Sequence, residues 1–339
     1  MMEIQAAIKS VMAGNDLSVE QMATVMQQIM TGECTPAQIG GFLVGLRMKG
    51  ETVDELSAAA RVMRELSTRV EVDCDYLVDT AGTGGDSSGS FNISTASAIV
   101  AAAAGAHVAK HGNRSMTSNS GSADVLEAAG VKLDISPALI GECIEQVGVG
   151  FMFAPAHHGA MKHAIGPRRE MAVRTVFNVL GPLTNPAAAP NQIIGVFDGE
   201  LVELMARVLQ QLESRHVMVV HGEDGMDEIS ISAPTRVAEL KDGEISSYTL
   251  SPADFGMETA AVETLRVGSA QQSLEVIRAV LADQAGPARD IVCLNAGAAI
   301  YVSGISDTLA AGVDAARAAI SSGKGATVLD NLVARTNAA

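Results

Sequence analysis

The chain lacks the cysteine spacing of a disulfide scaffold or a zinc ribbon. Its four cysteines, Cys34, Cys74, Cys143 and Cys293, are scattered, with no Cys-x-x-Cys. They read as buried thiols in a reducing cytoplasm. Long apolar runs are missing too. The longest, Ala98 to Ala106, falls far short of the roughly 20 residues that cross a bilayer. The opening MMEIQAAIKSVMAG is too polar for a secretory signal, so the sequon-like Asn92-Ile93-Ser94 is not read as a glycosylation site. Positive charge is scarce. The net charge of -16 argues against a general nucleic-acid surface, which is usually basic. It also gives an anionic substrate no help from the overall field, so local cations and a metal must supply it. There is no internal repeat, low-complexity linker, Gly-Lys-Ser/Thr or His-Glu-x-x-His. No Ser/His/Asp or Cys/His set stands out.

What is present suffices for two domains. The 339 residues are 47% apolar and 18% charged, as in an ordinary globular enzyme. Residues 1 to about 70 read as four short helices. Ile4, Ile8, Val11 and Met12 keep helical spacing. Ser18 to Gln21, Thr35 to Gln38 and Thr52 to Glu55 are capping boxes. From Tyr76 onward apolar strands alternate with helices. The strands are expected near 106–109, 149–154, 193–197 and 217–220, followed by a hairpin around Asp242-Gly243. That pattern predicts a mainly parallel sheet.

The stretch from Asp79 to Asp124 organises the rest. Leu77-Val78 reads as the end of a buried strand, and Gly82, Gly84 and Gly85 follow it. Such a turn forms a nest of N–H groups for an anion. Asn92 or Ser94 can cap the next helix, whose N-terminus also favours anions. A short strand then delivers Lys110, Asn113 and Arg114. Two anion-binding devices and two cations describe a site for a heavily phosphorylated ligand.

The runs GTGGD (82–86), FNISTASA (91–98), KHGNRS (110–115), SGSADVLEAAGV (120–131) and the long FMFAPAHHGAMKHAIGPRREMAVRTVFNVLGPLTNP (151–186) carry a resemblance. The chain resembles the anthranilate phosphoribosyltransferases of tryptophan biosynthesis over nearly its whole length. The resemblance implies the nucleoside phosphorylase-like phosphoribosyltransferase fold. This is α/β, with a small N-terminal α-helical domain (1–70) and a larger α/β domain (71–339) whose mainly parallel central sheet is flanked by helices. Residues 155–190 would connect the two and form a substrate channel. The implied reaction is displacement of pyrophosphate from phosphoribosyl pyrophosphate (PRPP) by the amine of anthranilate, in a homodimeric cytoplasmic enzyme.

The resemblance also assigns residues. Gly82, Gly85, Asp86, Ser90, Asn92, Ser94, Thr95, Lys110, Gly112, Asn113, Ser115, Ser118 and Ser122 match PRPP positions. Gly82, Asn113, His158 and Arg168 match anthranilate positions. Ser94, Asp227 and Glu228 would hold Mg2+. Arg168 suits a carboxylate because its planar fork pairs two oxygens at once. His111 is the best candidate to accept the amine proton late. Two rivals remain. One is a pyrimidine nucleoside phosphorylase on the same fold, against which the acid pair and the 151–186 run speak. The other is a non-catalytic nucleotide- or nucleic-acid-binding relative.

Overall fold

The computed structural model describes residues 2–86, 88–114 and 120–338. Four helices come first: α1 (Ile4–Met12), α2 (Val19–Thr31), α3 (Pro36–Lys49) and α4 (Val53–Glu65). All three capping boxes form, each with the N3 side chain returning a bond to the cap backbone. Glu55 also works at longer range. Its carboxylate accepts from the Leu17 N–H at 2.9 Å and from Lys49 Nζ at 2.9 Å, locking the helices together.

Next come β1 (Leu77–Gly82), α5 (Ile93–Ala103), β2 (His107–Gly112), α6 (Ser122–Ala129), α7 (Pro137–Glu142) and β3 (Val149–Phe153). Helical pieces α8 (Ala154–His157), α9 (Lys162–Met171) and α10 (Phe177–Leu180) lead to β4 (Asn191–Gly195), α11 (Leu201–Gln211) and β5 (His216–Gly222). The hairpin is β6 (Thr235–Lys241) with β7 (Glu244–Leu250), and α12 (Ala270–Leu281), α13 (Pro287–Ser303), α14 (Leu309–Ser321) and α15 (Lys324–Asn337) close the chain. Asp242 and Gly243 turn the hairpin with φ of 53° and 80°, as a type I′ turn requires.

The seven strands lie in the order β3-β2-β1-β4-β5-β6-β7. The first five are parallel, and β6 and β7 are antiparallel. Both faces of the central strands are covered, so these strands are largely apolar, whereas the edge strand β7 is mostly exposed and polar. Met218 and Val220 face the core built on α5 and α13. Val217 and Val219 face a second core, shared by α11 and the N-terminal helices. Among the described residues no helix is long and apolar enough to cross a membrane.

One detail differs from expectation, and two more shape the segments that follow. β2 extends to Gly112, because Lys110 and His111 are buried despite their polarity. The helix that opens at Pro137 leaves α geometry after Glu142 and continues as a π-helical turn over Cys143–Val147. Arg168 and Arg169 lie inside α9, where Pro167 is also helical and, with Ala164, buried.

Candidate active site

β1 leads to β2 and β3 on one side of the sheet, and the chain returns on its other side as β4 and β5. The loops after neighbouring β1 and β4 therefore diverge, and open α/β sheets bind ligands at such a switch point. Gly82 and Gly195 are register partners at this edge. The loop after β5 folds back over both. A Cβ on Gly195 would stand 1.6 Å from the Asp227 carbonyl oxygen, and one on Gly82 would stand 3.1 Å from Asp227 Oδ2. Only glycine lets this loop settle. Gly84 then donates its N–H to Asp227 Oδ2 at 2.8 Å. Gly84 and Gly85 have φ of 65° and 84°, so the glycine turn takes the left-handed conformation a nest requires.

Asp86, Asp227 and Glu228 form an acidic group. Burial pushes the Asp227 carboxyl up to about 7, and the charge of Asp86 adds to it. Burial and the Asp227 charge push Glu228 well above the ordinary carboxylate range, with Lys110 opposing and the Ser94 backbone hydrogen-bonded to it. Lys110 is 2% exposed. Its Nζ donates to the Thr80 carbonyl at 2.6 Å and to Ser94 Oγ at 3.1 Å. Burial lowers it to about 8 against the attraction of Asp79 and Glu228. One lysine thus faces several carboxylates, and the site is short of positive charge.

Asn92 caps α5 by accepting from the Thr95 N–H at 3.0 Å. Its Oδ1 also lies 3.3 Å from Ser94 Oγ and 3.4 Å from Ser122 Oγ, and its Nδ2 donates to the Ser120 carbonyl at 2.8 Å. The starts of α5 and α6 are therefore tied at one residue. Thr95 is buried, and its Oγ1 has no partner among the described atoms. Ser90 pairs with Arg266 in an isolated bridge. Gly112 ends β2 beneath Ser122 and Phe151. Asn113 follows it, exposed, and accepts from the Arg114 N–H at 2.7 Å. Ser115 and Ser118 lie outside the described residues.

His111 and His158 are both buried, with ring centroids 5.1 Å apart. Each makes a backbone hydrogen bond, to Gly181 and Thr184 respectively, and each has an Nε2 with no partner among the described atoms. Burial lowers them to about 3 and about 4, so both rings are neutral. Each then offers a lone pair in a dry setting. Arg168 is half-buried, its guanidinium 5.3 Å from the Phe177 ring centroid.

Arg114, expected as a cation for the ligand, is instead engaged by Asp124 and Glu127 of α6. Three residues escaped sequence reasoning. Asp79 is wholly buried and holds the His111 N–H at 3.1 Å. Its position at the end of an apolar strand was the available signal. Asn295, inside the apolar α13, donates to the Ile229 carbonyl and accepts from its N–H, at 2.9 and 2.8 Å, fixing the backbone just after Glu228. Arg174 reaches the glycine turn, its Nη2 donating to the Gly85 carbonyl at 2.6 Å.

A helical bundle set against a mainly parallel sheet, with a phosphate-type loop at the switch point, defines a class of glycosyl transferases. The glycosyl transferase family, helical bundle domain, matches residues 5–67, and the glycosyl transferase family, a/b domain, matches residues 75–326. The anthranilate phosphoribosyltransferase of Thioalkalivibrio sulfidiphilus is 66% identical over 335 residues, covering 99% of each chain. The crystal structure of that enzyme from Thermus thermophilus superposes with a TM-score of 0.93 at 42% identity, covering 98% of this chain and 99% of the other. The enzyme from Saccharomyces cerevisiae, in complex with PRPP and Mg, shares the fold at a TM-score of 0.90 and 24% identity, covering 99% and 98%. The chain belongs to the anthranilate phosphoribosyltransferase family of glycosyl transferases.

Proposed function

We propose that the chain transfers the phosphoribosyl group of PRPP to the amine of anthranilate, giving N-(5-phosphoribosyl)anthranilate and pyrophosphate in tryptophan biosynthesis. The observation that carries this reading is the packing of Asp227-Glu228 onto the glycine turn, beside Lys110 and Ser94. PRPP would lie on the turn and the α5 N-terminus, against Gly82, Gly85, Asp86, Ser90, Asn92, Ser94, Thr95, Lys110, Gly112, Asn113, Ser115, Ser118 and Ser122. Anthranilate would meet Gly82, Asn113 and His158, with its carboxylate on Arg168.

The donor set fits Mg2+. Buried carboxylates with raised pKa values are hard oxygen donors short of a counter-charge. Among the described residues no three His, Cys, Asp or Glu side chains form a ready-made metal cage, so Ser94, Asp227 and Glu228 would share the ion with phosphate oxygens. When bound, the ion supplies charge to the leaving pyrophosphate.

The chain's own residues do the rest. An aryl amine is already neutral at pH 7, so no strong base is needed before attack. The glycine turn and α5 fix the pyrophosphate, and Arg168 orients the nucleophile. Placement of this kind supplies roughly 7–11 kcal/mol at best. His111, neutral with a free lone pair, would take the amine proton late. The arylammonium formed is itself a strong acid, so a weak acceptor suffices.

The enzyme is further proposed to be a cytoplasmic homodimer, as its free thiols and surface support. All four cysteines are unpaired. An apolar groove between α1, α3 and α9 is lined by Met12, Val44, Met48, Pro167 and Met171, with Met12 and Met48 74% and 84% exposed. The helical region 1–70 would carry the subunit contact, and 155–190 the channel into the α/β region 71–339.

Anthranilate fluorescence, followed with PRPP in the presence and absence of Mg2+, tests the reaction. A magnesium-dependent loss of fluorescence is expected. Phosphorolysis of a pyrimidine nucleoside instead would overturn the reading.

A further inference from the structure

Arg174 belongs to neither assigned set of substrate residues, yet it touches the glycine turn. Helix α9, which carries Arg168, stops at Ala172 in a left-handed conformation, φ 50°. Two residues later the Arg174 guanidinium lies 3.9 Å from the Phe197 ring centroid, just beyond β4. From that stacked position Nη2 donates to the Gly85 carbonyl at 2.6 Å. Phe197 is itself tied to the turn, its N–H donating to Thr83 Oγ1 at 3.1 Å. Gly84, one residue earlier, donates to Asp227. The glycine turn is therefore gripped at two consecutive residues, by an acid at Gly84 and a stacked arginine at Gly85.

The grip has a directional consequence. In a trans peptide the carbonyl and the following N–H point to opposite sides. Holding the Gly85 carbonyl toward Arg174 turns the Asp86 N–H away from it, and so fixes one wall of the nest. Gly84 and Gly85, free of side chains, would otherwise populate many conformations. Phe197 supplies a flat face that aligns the guanidinium plane, which a lysine could not use in the same way.

We propose that Arg174 is a positioning residue for the transfer, latching the PRPP turn to the segment that carries Arg168, so that occupancy of one substrate site is felt at the other. The proposal rests on the assignment of PRPP to the glycine turn and anthranilate to Arg168. Because binding linkage is reciprocal, loosening the latch weakens each substrate's effect on the other.

The test measures initial rates over a matrix of PRPP and anthranilate concentrations for wild type, Arg174→Ala, Arg174→Lys and Phe197→Leu. Loss of the charged bond in Arg174→Ala is expected to raise the KM for PRPP roughly tenfold. The dependence of one substrate's KM on the other should shrink. Arg174→Lys should recover little, and Phe197→Leu should shift the same parameters less. Arg174 is exposed, so the melting temperature should change little. Unchanged KM values and unchanged substrate coupling in Arg174→Ala would overturn the proposal. A second readout needs no turnover. Amide hydrogen exchange across 84–90 should quicken in Arg174→Ala, and unchanged exchange would also overturn the latch. Wild-type protein that exchanges as expected but transfers nothing would sink the proposed reaction instead.

Discussion

The Asp227 carbonyl sits so close over Gly195 that a side chain there would have to pass through it, with a Cβ only 1.6 Å from the oxygen. Gly195→Ala must therefore push the Asp227–Glu228 loop off the end of β4. A displacement of about 1 Å costs on the order of 100-fold in rate. The expected outcome is at least that loss in kcat/KM, with the far-ultraviolet circular dichroism of wild type retained. An alanine variant with full activity would mean that the acid pair has no part in the reaction.

The acid pair itself should set the magnesium requirement. Removing even a group that only orients a ligand costs about 10- to 100-fold in metal affinity. Asp227→Asn combined with Glu228→Gln is expected to move the Mg2+ activation midpoint by at least that much. Chelation should abolish wild-type activity reversibly. A magnesium titration identical to wild type would remove both residues from the metal site.

Arg168→Ala should act on anthranilate alone. A hydrogen bond to a charged group is worth about 1.5–3 kcal/mol, so the KM for anthranilate should rise by about 10- to 100-fold. The KM for PRPP, measured with anthranilate saturating, should stay near its wild-type value. A large kcat loss with both KM values intact would assign Arg168 to the transition state instead.

At the opposite end of the sheet, Glu239 predicts an acid sensitivity. Burial raises its carboxyl, but hydrogen bonds from His216, Tyr248 and Tyr301 outweigh it and hold the group at about 2. An unfolded glutamate titrates near about 4.3. The folded value is the lower one, so this group's stabilisation is complete above that pH and is lost as pH falls toward 2. Glu239→Gln should melt below wild type at pH 7, and the gap should narrow by pH 3. Melting curves at the two pH values read this directly, and a gap of constant size would exclude the titration of Glu239 as its source.

Features written in neighbouring residues were readable from the sequence. The capping boxes at Ser18, Thr35 and Thr52 and the turn at Asp242-Gly243 depend on contacts three or four residues apart, and they fold as the spacing predicts. The parallel sheet was readable because strands covered on both faces are largely apolar. Long-range partners were not. Arg114 looks available until α6 brings Asp124 and Glu127 against it. Asn295 reaches Ile229 across 66 positions of chain. Lys110 and His111 looked like the end of a strand because they are polar, yet burial keeps them inside β2.

The insertion of β4 beside β1 has a kinetic meaning. Asn191 and Leu77 are 114 residues apart in sequence, and their contact closes the middle of the sheet. Chain entropy delays such pairings, and parallel sheets form slowly for that reason. Until β4 docks, Gly195 is not under Asp227 and the turn has no second wall. Catalytic competence should then appear only in the last cooperative step of refolding, later than the helical signal of residues 1–70. Regain of activity would time the closing of the sheet.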